Sequence, residues 1–260
     1  MKIGICENSF IPLRAGMSHK SEMLNQILFG ELFEITIHRT DWSKIRLIHD
    51  NYEGWVDTTT ITVLDEKDEI SADYIFDKKI SSSRETKITL NSKQSIFILA
   101  GSVLHTENDD KEFSINGNKY YLPKDFSTQE SIDKRKLITE NAMTFINAPY
   151  LWGGRTAWGI DCSGFTQLMY RLAGINIQRD ASQQIKGGNT LNFLSEAQAG
   201  DLAFFDNEDG EIVHVGIILD STSIIHASGK VRIDTIDHQG IYNKSLKRYT
   251  HELRVIKSLI

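Results

Sequence analysis

This chain predicts an α+β fold, with small β-barrels ahead of the mixed part. Three observations carry that expectation. Short β-branched and aromatic runs, broken by Gly, Asp and Asn, fill the first half. Two helical patterns follow between residues 128 and 174. Apolar strand-like runs then continue to the C-terminus, and helices followed by a sheet is the order of an α+β domain.

Residues 1–64 read as one small barrel. "EITIHRT", "KIRLI" and "EGWVDT" are strand-like, and "LFGELFEITI" enters a strand after Gly30. "HDNYEGWV" predicts a hairpin turning at Asp50 and Asn51. Residues 65–127 repeat the texture without a strict internal repeat, and a second small barrel is expected there. "KITLNSKQSIFILAGSVL" predicts two strands, and "FSINGNKYYLP" a hairpin turning at Asn116-Gly117. Residues 128–260 form the mixed domain. Ser127 with Glu130 resembles a capping box, and Ile132, Leu137, Ile138 and Phe145 follow near helical spacing. After the Gly- and Trp-rich "APYLWGGRTAWGID", a second helix runs from Cys162 to about Ala173. Phe165, Leu168, Met169 and Leu172 form its stripe, and Gly174 sits where a C′ residue belongs. "GDLAFFD", "IVHVGIIL", "SIIHASG" and "LRVIKSLI" are the strands.

The 260 residues are enough for two or three domains. With 35 acidic against 29 basic residues and no dense basic block, a general nucleic-acid binder is excluded. The apolar runs are too short to span a membrane. The start "MKIGICENSFIPLRAG" is not a secretory signal, because its apolar part is short and Glu7 interrupts it. With Met1 as the natural start, the expected location is the cytoplasm. Only Cys6 and Cys162 carry thiols, and no CxxC pair exists, which argues against a zinc ribbon.

Cys162 admits three readings. A buried structural thiol is the ordinary one. Against it, Cys162 lies between Asp161 and Ser163, ahead of the apolar stripe and therefore at the helix tip. A helix tip presents unsatisfied N–H groups and partial positive charge, which lower a thiol's pKa and suit a nucleophile. Such a nucleophile needs an imidazole. His214 and His226 each stand isolated in an apolar strand, where a polar side chain is costly without a partner. A Cys162–His214–His226 triad satisfies both, with His226 fixing the tautomer of His214. The same three residues could instead bind zinc, but the helix tip already explains the cysteine. No cofactor or metal is expected.

"YLWGGRTAWGIDCSGFTQLMYRLAGINIQRDASQQ", "AGDLAFFD", "HVGIIL" and "IIHASG", in that order, resemble the catalytic domain of NlpC/P60 cysteine peptidases over about residues 130–260. "PLRAGMSHKSEMLNQILFGE" and "YEGWV" resemble bacterial SH3-like domains. Two such domains before an NlpC-type domain is the arrangement of γ-D-glutamyl-L-diamino acid endopeptidases that recycle cell-wall peptides. The resemblance implies a papain-like fold preceded by two SH3-like barrels. It implies Cys162 as nucleophile, His214 as general base and His226 as third member. The substrate implied is a murein peptide with free N-terminal L-alanine, cut between γ-D-glutamate and the diamino acid. Trp152, Asp161, Ser163 and Ser182 would contact it, with Asp161 suited to an ammonium. Glu22 and Tyr52 of the first SH3-like domain would meet the substrate amine. Arg179 and Asp180 are as well suited to structural roles. Gln178 replaces a proline common in the family. NlpC-type domains are often monomeric, so a monomer is expected. Acyl transfer on the same site, remodelling of intact murein, and a non-catalytic wall-binding role are the rival functions.

Overall fold

The computed structural model describes residues 2–64, 79–91, 93–106, 111–126 and 132–260. Its contacts divide the chain into two units, Met1–Glu130 and Ser131–Ile260.

The first unit begins with β1 (Lys2–Ile5), β2 (Phe10–Arg14), β3 (Met23–Leu28), β4 (Leu32–His38), β5 (Trp42–Leu47), β6 (Glu53–Asp57) and β7 (Thr62–Val63). They pair in the order β3-β2-β6-β5-β4-β1-β7. Alternation decides what faces inward: in β5, Ser43, Ile45 and Leu47 are buried and their neighbours are not. Ile27 of β3, Leu13 of β2, Val56 of β6, Ile45 of β5 and Phe33 of β4 share one core. A flat sheet could not bring all five together, so the strands wrap into a small barrel. The expected hairpin turn is present. Asn51 takes φ 60°, and the Tyr52 N–H donates to Asp50 Oδ1 at 3.0 Å.

The expected second barrel is not formed by the described residues. β8 (Lys79–Ile80), β9 (Glu85–Leu90), β10 (Gln94–Leu99), β11 (Val103–Leu104), β12 (Glu112–Ile115) and β13 (Asn118–Tyr121) make two separate sheets. One has the order β10-β9-β13-β12, and the other is the pair β11-β8. Their buried side chains, Ile88, Ile98, Phe113 and Tyr120 among them, pack in one cluster with Ile5, Phe29 and Leu32 of the first strands. The segment thus shares a core instead of closing around its own. Its hairpin does turn at Asn116 and Gly117, both at positive φ, as the sequence predicts.

The second unit contains α1 (Lys134–Thr144), β14 (Arg155–Thr156), β15 (Gly159–Ile160), α2 (Cys162–Leu172) and the short α3 (Ala181–Gln184). Then come β16 (Asn189–Leu191), β17 (Leu202–Asp206), β18 (Ile212–Asp220), β19 (Ser223–Ser228), β20 (Lys230–Ile236), β21 (Gly240–Asn243) and β22 (Arg248–Ser258). The large sheet runs β16-β22-β17-β18-β19-β20-β21, and β22 also pairs with β21. That extra pairing closes six strands into a ring. Ala203, Phe205, Ile218, Ile224, Ile236 and Ile241 pack together as one core cluster of this sheet. Helix α2 packs against β18 and β19.

Two helix details differ from the sequence expectation. The Ser127–Glu130 capping box lies outside the described residues. Helix α1 starts at Lys134, with Asp133 Oδ1 accepting from the Lys136 N–H at 3.0 Å. Ile132 precedes that helix and is fully exposed, so it is not part of the stripe. Helix α2 is buried on every side and not along one stripe alone. Its polar residues are tolerated because they are bonded. Thr166 Oγ1 donates to Gln184 Oε1 at 2.8 Å, and Gln167 Nε2 donates to the Ile177 carbonyl at 3.2 Å. Gly174 terminates the helix at φ 74°.

Candidate active site

The tip of α2 is built around Asp161. As N-cap, its Oδ1 accepts from the Gly164 N–H at 2.6 Å, and its Oδ2 accepts from the Gly153 N–H at 2.9 Å. Arg179 closes on both oxygens, with Nη1 donating to Oδ1 at 3.0 Å and Nη2 to Oδ2 at 2.6 Å. Arg179 Nη1 also donates to Ser163 Oγ at 2.9 Å. All three side chains are buried. Arg179 therefore has a structural partner, and it already balances the Asp161 charge that the sequence reading offered to a substrate ammonium. Gly164 is required here, because a Cβ would run into the Gly154 carbonyl.

Cys162 is 7% exposed. Burial pushes its thiol up to about 12, and the Asp161 charge adds to that. The Val215 and Ser163 N–H groups and Arg179 pull the other way without prevailing. The sequence predicts a lowered thiol at a helix tip. The structure shows the opposite, because burial and the capping carboxylate outweigh the helix terminus. The N–H contact with Val215 also ties the sulfur to β18, the strand that carries His214.

His214 and His226 meet as the isolated polar positions predict. His214 Nε2 lies 2.8 Å from His226 Nδ1, and both rings are buried. His226 Nε2 lies 3.2 Å from Asp234 Oδ2. These nitrogens face each other and a carboxylate, and among the described residues no group of three His, Cys, Asp or Glu is placed to hold a metal. The pair depends on Gly216. A Cβ there would sit 2.9 Å from His226 Cβ and 2.8 Å from Ile224 Cδ1. Gly216→Ala is expected to push His226 off His214 and to lower kcat by about 10-fold to 100-fold, with KM little changed. Steady-state kinetics of the variant check this.

Four neighbours were not found by sequence reasoning. His251, on β22, stacks on His214 with ring centroids 4.1 Å apart and planes at 23°. Phe205 packs near both rings, at 5.8 and 5.9 Å. Tyr150 lies close enough to Cys162 and Asp161 for burial and those charges to raise its hydroxyl to about 12. "PYLWGG" carried that tyrosine in plain view, but nothing in its spacing tied it to the cysteine. Nor did "YTHELRV", an exposed-looking strand, mark His251. Asp234, which follows His226 in the row, stood in a strand with no isolating apolar context.

The buried imidazoles make stability depend on pH. Burial first and His226 second push His251 from the ordinary 6.5 down to about 4, against a pull from Asp234. His214 is likewise held well below 6.5 by burial, His226 and His251. As pH falls through 6.5 the unfolded chain takes up protons that the folded site refuses. This part of the stability is therefore complete above about 6.5 and lost toward pH 4. Urea unfolding from pH 7 to 4 is expected to show that decline, and a shallower one in His251→Phe.

The other anticipated contact residues lie as follows. Trp152 is 61% exposed on the loop before β14, and Ser182 is exposed on α3. Gln184 of α3 donates to the Ser163 carbonyl at 3.0 Å and so joins α3 to the tip of α2. In the first unit, Glu22 is exposed just ahead of β3, and Tyr52 packs on the barrel core.

A thiol at a helix tip, seated on a sheet that carries a hydrogen-bonded imidazole pair, is the site of a cysteine-type hydrolase. Comparisons with known proteins agree. Residues 147–251 match the model of the NlpC/P60 family, and residues 13–61 match that of the bacterial dipeptidyl-peptidase Sh3 domain. A gamma-D-glutamyl-L-lysine dipeptidyl-peptidase of Bacillus subtilis is 28% identical over 90% of this chain and 82% of the relative. Dipeptidyl-peptidase 6 of Lysinibacillus sphaericus is 28% identical over 84% of this chain and 86% of the relative. In fold, the chain resembles the crystal structure of an NlpC/P60 family protein from Bacillus cereus, with a TM-score of 0.79, 18% identity and 99% of each chain covered. The chain belongs to the NlpC/P60 family of cysteine peptidases and carries an SH3-like accessory domain.

Proposed function

We propose that this protein hydrolyses the γ-D-glutamyl–diamino acid amide of murein peptides, acting on L-Ala-γ-D-Glu-diamino acid fragments during cell-wall recycling. The observation that carries the reading is the buried His214–His226 pair at 2.8 Å, with His214 on the strand whose Val215 N–H bonds the Cys162 sulfur. Cys162 is the nucleophile, His214 the base and His226 its orienting partner. Burial raises the thiol and lowers the imidazole, which favours proton transfer in step with attack. His214 takes the Sγ proton as sulfur adds to the γ-glutamyl carbonyl, then gives it to the departing amine. Water hydrolyses the resulting thioester. N–H groups at the α2 tip, that of Cys162 included, hold the oxyanion.

Trp152, Asp161, Ser163 and Ser182 are assigned to substrate binding, Asp161 through its pairing with Arg179. Glu22 and Tyr52 are assigned to the substrate amine. In this reading residues 1–64 are the SH3-like domain, 65–127 a divergent second one, and 128–260 a papain-like catalytic domain acting as a monomer. Incubation with L-Ala-γ-D-Glu-diaminopimelate and with its lysine counterpart, followed by mass spectrometry, tests the substrate. Release of the free diamino acid is expected. Cleavage confined to intact cross-linked murein would move the role from recycling to wall remodelling.

A further inference from the structure

The imidazole pair does not end at His226. His226 pairs with Arg232 across β19 and β20, and Asp234 lies two residues further along β20, on the same face. Asp234 Oδ2 is 3.2 Å from His226 Nε2, and the carboxylate is buried. Arg232 steadies its other side, with Nη2 donating to Oδ1 at 2.8 Å. Burial alone would raise the Asp234 carboxyl, but hydrogen bonds from His226 and Arg232 outweigh it and hold the group below its ordinary range. At neutral pH it is a carboxylate, which can only accept.

That single acceptor sets the proton positions along the row. Facing a carboxylate, His226 Nε2 must carry its hydrogen. In a neutral ring the other nitrogen, Nδ1, is then a bare lone pair. The 2.8 Å contact can be a hydrogen bond only if His214 Nε2 donates into it. His214 Nδ1 is left without a proton, the form a general base needs.

Resting on the peptidase reading above, we propose that Asp234, held by Arg232, is a positioning residue that sets the tautomers of both histidines and leaves His214 Nδ1 free to take the Cys162 proton. In that step the S–H bond breaks and an N–H bond forms on His214 Nδ1. The His214 Nε2–H stays in place and donates to His226 throughout. The reverse arrangement, with a proton on His226 Nδ1, would put the His214 proton on Nδ1 and block the base.

The test uses the full chain labelled with ¹⁵N-histidine and long-range ¹H–¹⁵N correlation, signals being assigned by single histidine substitutions. In the unaltered protein at pH 7, both His214 and His226 are expected as Nε2–H tautomers. In Asp234→Ala the preference is expected to be lost in both rings. The same variant is expected to lose about 100-fold in kcat on L-Ala-γ-D-Glu-diaminopimelate, with KM within about twofold. Asp234→Asn gives a second, isosteric variant, and the spectrum of the unaltered protein decides even if neither variant folds. A proton on His226 Nδ1 in that spectrum, or unchanged tautomers in a folded Asp234→Ala, would overturn the proposal whatever the activity. Absence of peptide cleavage by the unaltered protein would instead defeat the peptidase reading, while the expected tautomers would still support the Asp234 assignment.

Discussion

Cys162→Ala is expected to remove hydrolysis of L-Ala-γ-D-Glu-diaminopimelate, lowering kcat/KM by on the order of 10⁴-fold or more. Nothing nearby can replace the thiol. The only other cysteine, Cys6, belongs to the first unit and is fully buried in its core. The variant should fold, because the tip of α2 is held by Asp161, Gly164 and Arg179, none of which needs the sulfur. Alanine also suits a helix. KM is expected to stay within a few-fold, since the binding groups are untouched. Retained activity in a folded, pure variant would refute the nucleophile and with it the mechanism.

Arg179→Ala is expected to cause the largest loss of stability, about 3–5 kcal/mol, because it leaves the buried Asp161 carboxylate without its cation. Both partners are nearly inaccessible to water, so solvent cannot take over the role. The loss would also loosen the tip itself. Asp161 carries the Gly164 and Gly153 N–H groups, and Arg179 also bonds Ser163. Urea denaturation at pH 7 measures the change. A double variant, Arg179→Met with Asp161→Asn, is expected to lose less than Arg179→Ala, since no charge remains buried. A loss below about 1 kcal/mol for Arg179→Ala would show that the pair does not hold the tip.

Much of the site was legible before any coordinates. His214 and His226 stood out because one polar residue in an apolar strand needs a partner, and two such residues on consecutive strands can supply each other. The hairpins at Asn51 and Asn116 were legible because positive φ selects a short list of residues. Other features were hidden for identifiable reasons. Among the described residues the second barrel does not form, because β8 and β11 are only two residues long and the buried residues around them join a core that includes Ile5 and Phe29. The thiol's ionisation was misjudged because helix position is local, whereas burial depends on everything packed around it. His251 reaches His214 only through the closing of β22 onto both β17 and β21, a contact 37 residues distant in sequence that no periodicity encodes.

The sequence by itself determined the class of fold, the helix that begins at Cys162, the two histidines and four of the strands that follow that helix. These follow from local chemistry: alternation, caps, turn residues and the cost of an isolated polar side chain. The tertiary structure alone decided which charges meet. It joined Arg179 to Asp161, placed Asp234 behind His226, stacked His251 on His214 and pushed the thiol's pKa up by burial. Electrostatic energy depends on distance and on exclusion of water, and both are properties of the packed fold rather than of any short run of residues.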